Sequence, residues 1–334
     1  MLKTIFKTLL VLFVSAPAFA AYDKPYIGEM KIYPAKHEDT LVYIARDNNL
    51  GFVEMRAANP DVDPWLPGEG TKLVIPTRHL LPDAPYKGIV INLPEMRLYA
   101  FINGENEPES YPIGIGREGL ATPLGTTEIV RKQVGPTWRP TPRMREENPK
   151  LPESIGPGPD NPLGDYAMYL GWAQYAIHGT NKPFGIGRRV SSGCIRMYPE
   201  GIEALFQRIP IGTPVRVVDQ PIKLAWIENE LYLEAHPDIE QAFQMEETGQ
   251  IYSHQLDNED LKAIINVAGK YKDDVDWALV RHAVKERKGY PIKIAERPQG
   301  SEPVPGEQKR GQDRVENKAG ADEPESSEES KTAS

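Results

Sequence analysis

The feature that most constrains the fold is a series of short apolar segments between residues 88 and 218, punctuated by Gly and Pro. Short runs rich in β-branched and aromatic residues are typical of β-strands, whereas helices usually need about ten or more residues. The chain contains 32 Pro residues, which favour turns between such segments. The pattern therefore predicts a mainly β domain, either a β-sandwich or a partly closed barrel, with strands near residues 88–93, 96–102, 111–115, 127–130, 166–170, 173–177 and 214–218.

Both flanks of this β domain show a different pattern. Residues 21–80 predict a small α+β module, in which two short helices precede a strand at Leu73-Val74-Ile75-Pro76. Residues 220–297 predict an α+β extension that begins with a hairpin and continues with helices near residues 260–268 and 275–286. Residues 298–334 are polar and rich in Glu, Ser, Gly and Pro. We expect this tail to be disordered, because it has too little apolar surface to bury.

Two further segments inside the β domain stand out. Pro199 suits the first position of a helix in which Ile202, Leu205 and Phe206 form one apolar face. Residues 133–162 are rich in Pro and lack periodicity, and long loops of this kind act as lids or are disordered. Trp138 lies in this stretch, where it would cover a bound substrate or serve as a simple packing anchor.

The first 20 residues predict export of the protein. Lys3 and Lys7 precede the apolar run Leu-Leu-Val-Leu-Phe-Val, and Ala18-Phe19-Ala20 fits the small-x-small rule for cleavage. Residues 1–20 are therefore predicted to be a cleaved signal peptide. The apolar run is too short for a permanent transmembrane helix, and no later segment is apolar enough to cross a membrane.

Charge and cysteine content narrow the function classes. The formal net charge is −9 at pH 7, and no stretch concentrates Lys and Arg. This argues against a nucleic-acid partner, for which a basic surface is expected. Cys194 is the only Cys, so no disulfide can form within the chain. In an exported protein a single Cys is either a buried, inert side chain or a reactive thiol, and the count leaves both interpretations open.

Two motifs carry residues suited to thiol chemistry, Tyr175-Ala-Ile-His178-Gly-Thr-Asn181 and Val-Ser-Ser-Gly-Cys194-Ile-Arg-Met. A free thiol has a pKa near 8.5, which a neighbouring imidazolium or a helix N-terminus lowers. We expect His178 to take the thiol proton and later return it to a leaving amine. The backbone N–H groups of Ser192, Gly193 and Cys194 are candidates for an oxyanion site, in which each donor typically contributes ~3 kcal/mol.

Together these motifs closely resemble the YkuD-type L,D-transpeptidase catalytic domain. Further matches are Pro112-Ile-Gly-Ile-Gly116, Thr122-Pro123-x-Gly125 and Asn161-Pro-Leu-Gly164, so the resemblance covers about residues 86–219. It implies that residues 85–219 form the catalytic domain, with a mainly β, YkuD-like fold. The full layout, with a signal peptide, an N-terminal module and a C-terminal extension, resembles the Gram-negative members and implies a periplasmic location.

The N-terminal module resembles the LysM family of glycan-binding modules. The matching residues are Asp39-Thr40-Leu41, Ala58-Asn59-Pro60 and Leu73-Val74-Ile75-Pro76, whereas the usual Gly before the first of these motifs is Glu38. The resemblance implies that this LysM-like module binds N-acetylglucosamine-containing chains of peptidoglycan. The alternative is a spacer that only keeps the fold.

The transpeptidase resemblance implies a role for each residue of the two motifs. Cys194 would be the nucleophile and His178 its base, and the carbonyl of Gly179 would hold the imidazole in one tautomer. Ser191 would support the nucleophile loop. Arg196 would line the site near the substrate or the thiolate.

Three more side chains are candidates for substrate binding: Tyr175, Trp138 and Arg189. Arg189 and its neighbour Arg188, just before the nucleophile loop, would bind substrate carboxylates or remain solvated surface charges. Many relatives have His where this chain has Ser192, so His178 is the only nearby candidate base.

The resemblance implies a reaction on peptidoglycan stem peptides. Cys194 would attack the carbonyl at the L-centre of diaminopimelate in a tetrapeptide stem and expel D-Ala, after which an amine would take the acyl group from the thioester. An amine of a second stem gives a 3→3 cross-link, whereas a lysine of an outer-membrane lipoprotein gives a tether to the wall. Water gives L,D-carboxypeptidase or amidase activity. A non-catalytic wall-binding protein is a further alternative, which the intact Cys194 and His178 disfavour.

No cofactor and no metal site are expected. The remaining His residues lack the spacing of zinc ligands and are interpreted as surface or packing residues, namely His37, His79, His236, His254 and His282. The family resemblance also implies that carbapenems acylate Cys194.

Overall fold

The computed structural model describes residues 22, 24–102, 105–117, 121–252 and 255–304. The predicted signal peptide at residues 1–20, His254 and the predicted tail from residue 305 onward lie outside the described residues. In the part of the chain that is described, no helix combines the length and the apolar character needed to span a membrane.

The N-terminal part contains the two predicted helices and the predicted closing strand. Thr40 begins the first helix, because its side chain accepts a hydrogen bond from the backbone N–H of Tyr43 at 3.3 Å. Leu73 and Ile75 of the closing strand are buried against apolar residues of both helices. The elements are β1 (Tyr26–Ile27), β2 (Met30–Pro34), α1 (Leu41–Asp47), α2 (Phe52–Ala58), β3 (Lys72–Pro76) and β4 (His79–Leu80). Antiparallel pairing joins β2 to β3 and β1 to β4.

The central part is mainly β, which confirms the predicted fold class. Its strands are β5 (Gly88–Asn92), β6 (Arg97–Phe101), β7 (Glu109–Gly116), β8 (Gly125–Val134), β9 (Tyr166–Leu170), β10 (Ala176–His178), β11 (Arg189–Ser191), β12 (Ile195–Met197) and β13 (Pro214–Val218). These nine strands form one sheet, and all but β11 follow one another around a closed ring. The ring closes because β6 pairs with both β5 and β7. The sheet is therefore barrel-like. The remaining strand, β11, is not part of the ring and pairs in parallel with the C-terminal end of β7.

Two helices interrupt the strands of this barrel. The predicted helix is α4 (Pro199–Arg208), whose buried Ile202 and Leu205 join the apolar cluster of the sheet. The irregular stretch at residues 133–162 contains α3 (Pro142–Glu147), which begins where the Thr141 side chain accepts a hydrogen bond from the N–H of Met144. This short helix is absent from the sequence-based prediction.

The C-terminal part is an α+β unit with its own apolar core. Its elements are β14 (Ile222–Ile227), β15 (Glu230–Ala235), α5 (Ile239–Thr248), α6 (Asn258–Ala268), α7 (Trp277–Glu286) and β16 (Ile292–Glu296). The three strands form an antiparallel sheet in which β15 is central. The sequence predicts the hairpin, α6 and α7, but not α5. Ala242 and Met245 of α5 pack with the barrel core rather than with the core of this unit.

Buried charged side chains lie where the three parts meet, and we call this set the charged junction. Glu54 of α2 accepts hydrogen bonds from Arg97 of β6 at 2.8 Å and from the backbone N–H of Gly51 at 3.0 Å. Burial alone would raise the pKa of the Glu54 carboxyl, but Arg97 and His79 hold it below its usual value. The members of the junction are Glu54, His79, Glu95, Arg97, Lys223, Glu234 and His236.

The second half of the junction ties the C-terminal sheet to the barrel. Lys223 of β14 donates to the carbonyl of Leu80 at 2.6 Å and forms ion pairs with Glu95 and with Glu234, the latter at 2.9 Å. His236 Nε2 lies 2.7 Å from Glu234. A buried charge is tolerated only while its partners are in place. The junction therefore favours one mutual arrangement of the three parts.

The first prediction concerns the ion pair between Glu54 and Arg97. Replacement of Arg97 by Leu is expected to lower the free energy of unfolding by about 3–5 kcal/mol, because it leaves the buried Glu54 carboxylate without its partner. Urea denaturation measures this loss. The matched control is Arg117→Leu, which breaks a pair with Glu147 whose side chains are 50% and 46% exposed. An exposed pair of this kind contributes less than about 1 kcal/mol.

The pH dependence separates the ion pair from simple packing. In the native protein the pKa of Glu54 is lowered, so its contribution to stability is present at neutral pH and is lost as the pH falls through the folded-state pKa. In Arg97→Leu burial acts without the arginine and raises that pKa. The stability difference from the native protein is then expected to shrink as the pH falls. A difference that does not vary with pH contradicts this account.

Candidate active site

The barrel sheet brings the two predicted catalytic motifs together. β10 and β12 are parallel neighbours, in which Ile177 pairs with Ile195 and His178 with Arg196. Side chains alternate between the two faces of a strand. Ile177 and Ile195 are fully buried in the apolar core, so His178 and Arg196 share the opposite face. Cys194 directly precedes β12, and the Arg196 charge acts on both Cys194 and His178.

His178 is buried and held in one orientation. Its Nδ1 lies 2.6 Å from the carbonyl oxygen of Gly179. Because a carbonyl only accepts, we place the ring proton on Nδ1, which leaves Nε2 able to accept a proton. Burial and the nearby Arg196 lower the pKa of His178 to about 4, although the carbonyls of Gly179 and Leu163 oppose this shift. The imidazole is therefore neutral near pH 7.

Cys194 is half-buried, and its thiol is neutral as well. Its Sγ donates to the carbonyl of Gln174 at 3.4 Å. Burial raises the pKa of the Cys194 thiol, against the lowering effects of the Ala176 backbone and of Arg196. The sequence-based prediction that an imidazolium or a helix N-terminus lowers the pKa of Cys194 is therefore wrong, because this pKa is raised. The imidazole is uncharged, and α4 begins only at Pro199, beyond β12.

The loop before Cys194 is held by side-chain hydrogen bonds. Ser191, which is buried, donates to the carbonyl of Cys194 at 2.6 Å and accepts from the N–H of Gly193 at 3.1 Å. Gly193 has a φ of 110°, a backbone conformation that favours glycine. Thr122 donates to the carbonyl of Gly193 at 2.9 Å. The sequence indicates Thr122 only as part of the Thr-Pro-x-Gly motif and does not predict this hydrogen bond.

The loop at residues 136–164 is bound against the strand that ends in His178. Asn161 is fully buried and donates to the carbonyls of Pro136 at 2.6 Å and Gly156 at 3.0 Å. Gly164 has a φ of 65°, and a Cβ added there would lie 2.8 Å from the Thr180 nitrogen. The Asn-Pro-Leu-Gly motif therefore has a structural reason, which is the close approach of this loop to the segment after His178.

The three candidate substrate-binding residues have different surroundings. Tyr175 packs edge-on against Trp172 at a centroid distance of 6.3 Å, and its hydroxyl donates to the carbonyl of Ala121 at 3.4 Å. Arg189 of β11 donates to the carbonyl of Gly116 at 3.2 Å. Trp138 forms two backbone hydrogen bonds with Ile155, at 2.8 and 2.9 Å, inside the loop at residues 136–164. Their substrate contacts stay predictions.

Two other features have the shape or the side chains of a ligand site. His79, Glu95 and Glu234 offer ligand atoms within 4.8 Å of one another, a grouping that the sequence spacing did not reveal. The ammonium of Lys223 bonds to both carboxylates, so a cationic group already lies among these atoms. A cleft of about 360 Å³ is lined by Asn161, Gly179 and residues of the α4 start. It lies beside the Gly179 backbone, and Cys194 is not among its lining residues.

The second prediction concerns the charge of Arg196. Arg196→Met is expected to raise the pKa of His178 above about 4, because a positive charge that opposes protonation is removed. Burial, the larger cause, persists, so the value stays below the ordinary ~6.5. The same variant raises the pKa of the Cys194 thiol, since Arg196 favours the thiolate.

Two titrations measure these shifts. NMR titration follows the imidazole, with His178→Gln to assign its signal, and the pH dependence of alkylation follows the thiol. A fall in either pKa contradicts the electrostatic role of Arg196.

Comparison with known proteins identifies the family. A solved L,D-transpeptidase from Mycobacterium smegmatis is similar at 19% identity and a TM-score of 0.33, over 45% of this chain and 64% of that one. Residues 86–217 match the family model of the YkuD L,D-transpeptidase catalytic domain. In Escherichia coli (strain K12), the probable L,D-transpeptidase YbiS is 39% identical over 88% of this chain and 98% of the relative. The probable L,D-transpeptidase ErfK/SrfK is 40% identical over 78% and 84%. The chain therefore belongs to the L,D-transpeptidase family.

Proposed function

We propose that this protein is a periplasmic L,D-transpeptidase that forms a thioester between Cys194 and a peptidoglycan stem peptide. The observation that carries the proposal is the pairing of β10 with β12, which sets His178 opposite Arg196 on the strand that follows Cys194. The hydrogen bond from His178 to the Gly179 carbonyl supports a role for Nε2 as base. Membership of the family supports the substrate class.

In the first step, Cys194 attacks the carbonyl at the L-centre of diaminopimelate while His178 takes the thiol proton. The thiol and the imidazole are both neutral at rest, so the proton moves during the attack rather than before it. A carbon–sulfur bond forms and the carbonyl oxygen gains negative charge. The intermediate then breaks its bond to the terminal D-Ala nitrogen, which receives the proton from His178. A thioester on Cys194 remains.

The negative oxygen of the intermediate requires hydrogen-bond donors. We assign this role to the backbone N–H groups of Cys194 and Ser192. The N–H of Gly193 already donates to Ser191, which supports a role for Gly193 in shaping the loop. Arg196 pairs with His178 across β10 and β12, and its charge acts on the Cys194 thiol. We therefore assign Arg196 to a carboxylate of the substrate or to the thiolate.

In the second step, an acceptor attacks the thioester and releases Cys194. A diaminopimelate amine of a second stem gives a 3→3 cross-link, and a lysine amine of an outer-membrane lipoprotein gives a protein anchored to the wall. His178 accepts the proton of the attacking amine and returns it to the leaving sulfur, so the resting state is restored. Tyr175, Arg189 and Trp138 are proposed to bind the peptide.

The location and the accessory parts complete the proposal. The signal-peptide pattern of residues 1–20 supports export, and we take residues 21–80 as a LysM-like peptidoglycan-binding module. The order of β2, α1, α2 and β3 in this module supports that assignment. Trp65 is 57% exposed and offers an aromatic face of the kind that sugars contact. We further divide the chain into a catalytic domain at residues 85–219, an accessory unit at 220–297 and a polar tail at 298–334, of which Val304 packs in the core of the C-terminal unit.

The third prediction tests the acyl-enzyme directly. The mature protein is incubated with a carbapenem, and intact mass spectrometry is expected to detect a single adduct. Cys194→Ala is expected to give none, because it lacks the nucleophile. His178→Gln is expected to form the adduct roughly 10²- to 10⁴-fold more slowly, the usual contribution of a general base. The matched control is His282→Gln, a histidine on α7 whose side chain is 56% exposed, which should react at the native rate.

Products with disaccharide-tetrapeptide stems then separate transfer from hydrolysis. New 3→3 dimers with release of D-Ala support the transpeptidase, whereas shortened monomers alone support a carboxypeptidase. An adduct on Cys194→Ala removes Cys194 as the nucleophile. A folded native protein that forms neither an adduct nor a product contradicts the enzyme proposal and favours a wall-binding protein.

A further inference from the structure

The strand that leads into the nucleophile loop, β11, pairs with a single strand of the barrel, β7. β11 contains three residues, pairs with β7 at the outside edge of the sheet, and shifts register between Arg189 and Ser191. Backbone hydrogen bonds join this segment to β7, from Gly187 N–H to the Ile113 carbonyl at 3.1 Å, from Ile115 N–H to the Arg188 carbonyl at 3.1 Å and from Arg117 N–H to the Ser191 carbonyl at 2.9 Å. Short, irregular edge strands are easily displaced, because few ladder hydrogen bonds hold them.

The N-terminal part supplies further support just before β11. The backbone N–H groups of Phe52 and Val53, in the first turn of α2, donate to the carbonyls of Ile186 at 3.4 Å and Gly187 at 3.2 Å. The first N–H groups of a helix have no partner within the helix, and here the segment before β11 provides one. Gly51 and Gly187 touch so closely that a Cβ on Gly187 would lie 2.2 Å from the Gly51 Cα.

Arg188 joins all three parts of the protein at this place. Its guanidinium lies 3.8 Å from the ring centroid of Phe52 in α2 and forms an ion pair with Glu246 of α5. Its own backbone carbonyl bonds to β7. The Arg188 side chain is mostly covered, at 18% exposed, and Glu246 at 21%. A half-buried pair with a stacked ring is held more firmly than a surface pair.

The chain leads directly from Arg188 into the loop that carries Cys194. Three residues further along the chain, Ser191 bonds to both the carbonyl of Cys194 and the N–H of Gly193. A displacement of β11 therefore moves Ser191 and, through it, Cys194. The sulfur would then lose its contact with the Ala176 backbone and move away from Arg196. These are the two influences that lower the pKa of the Cys194 thiol.

We propose that Arg188 is a positioning residue for the nucleophile loop: by clamping α2 and α5 onto the segment before β11, it fixes Ser191 and Cys194 in their reactive placement. This inference rests on the proposed role of Cys194 as nucleophile. The N-terminal and C-terminal parts thereby contribute to the acylation step itself, in addition to any binding of the wall.

The fourth prediction compares two arginines that hold the same N-terminal part. Arg188→Met removes the clamp and keeps much of the side-chain volume. The matched control is Arg46→Met, which removes a two-pronged pair between α1 and Glu200 of α4, at 3.0 Å for both bonds. Acylation by a carbapenem is expected to slow roughly ten- to a hundredfold in Arg188→Met, because small displacements of a reacting group have effects of this size. Arg46→Met is expected to react at the native rate.

A second readout distinguishes positioning from stability. The pH profile of Cys194 alkylation by iodoacetamide is expected to move to higher pH in Arg188→Met and to stay in place in Arg46→Met. Both variants lose some thermal stability, so a lower Tm with a native alkylation profile and acylation rate in Arg188→Met overturns the inference. Arg188→Lys, which keeps the charge opposite Glu246, is expected to restore most of the native rate.

The proposed function and this inference fail separately. If the native protein forms no carbapenem adduct, the transpeptidase proposal fails, yet the alkylation profile still reports on Arg188, since alkylation requires no turnover. If the native protein forms the adduct and Arg188→Met matches it in rate and in pH profile, only the positioning role is overturned.

Discussion

The ion pair between Glu54 and Arg97 is the interaction on which the arrangement of the protein depends. Neither charge is stable in an apolar interior alone, because the loss of hydration costs more than packing returns. Glu54 also accepts the N–H of Gly51, so the same carboxylate that meets the barrel fixes the first turn of α2. That turn donates to the carbonyls of Ile186 and Gly187. A single buried carboxylate thereby links the docking of the N-terminal part to the segment that precedes the nucleophile loop.

Burial also sets the protonation of Cys194 and His178. It raises the pKa of an acid such as the Cys194 thiol and lowers that of a base such as His178, because in both groups the charged form is the one penalised. Arg196 acts in opposite ways on the two, since its positive charge favours the thiolate and disfavours the imidazolium. Near pH 7 both the Cys194 thiol and the His178 imidazole are therefore uncharged.

The sequence predicts those features that depend on local pattern. Short apolar runs identify seven of the nine strands of the sheet, and Pro199 with its apolar face identifies α4. The two missed strands, β11 and β12, have only three residues each. Closure of the ring also depends on pairings between strands far apart in sequence, such as β5 with β13 and β7 with β12, which local pattern does not contain. The direction of the pKa shift of the Cys194 thiol depends on burial, which the local sequence does not show. His79 and His236 are far apart in sequence and meet in the charged junction only after folding. By contrast, α5 was within reach, because Asp238 and Gln241 form a capping box and Gly249 ends the helix.

Arg188 and Arg189 are adjacent and identical, so only the folded structure distinguishes their roles. In sequence both are candidates for a substrate carboxylate. Alternation along an extended chain sends neighbouring side chains to opposite sides, so Arg189 reaches the carbonyl of Gly116 in the barrel while Arg188 reaches α2 and α5. An arginine engaged by both a ring and a carboxylate has little freedom left for a ligand. The Arg188 charge is therefore used within the protein.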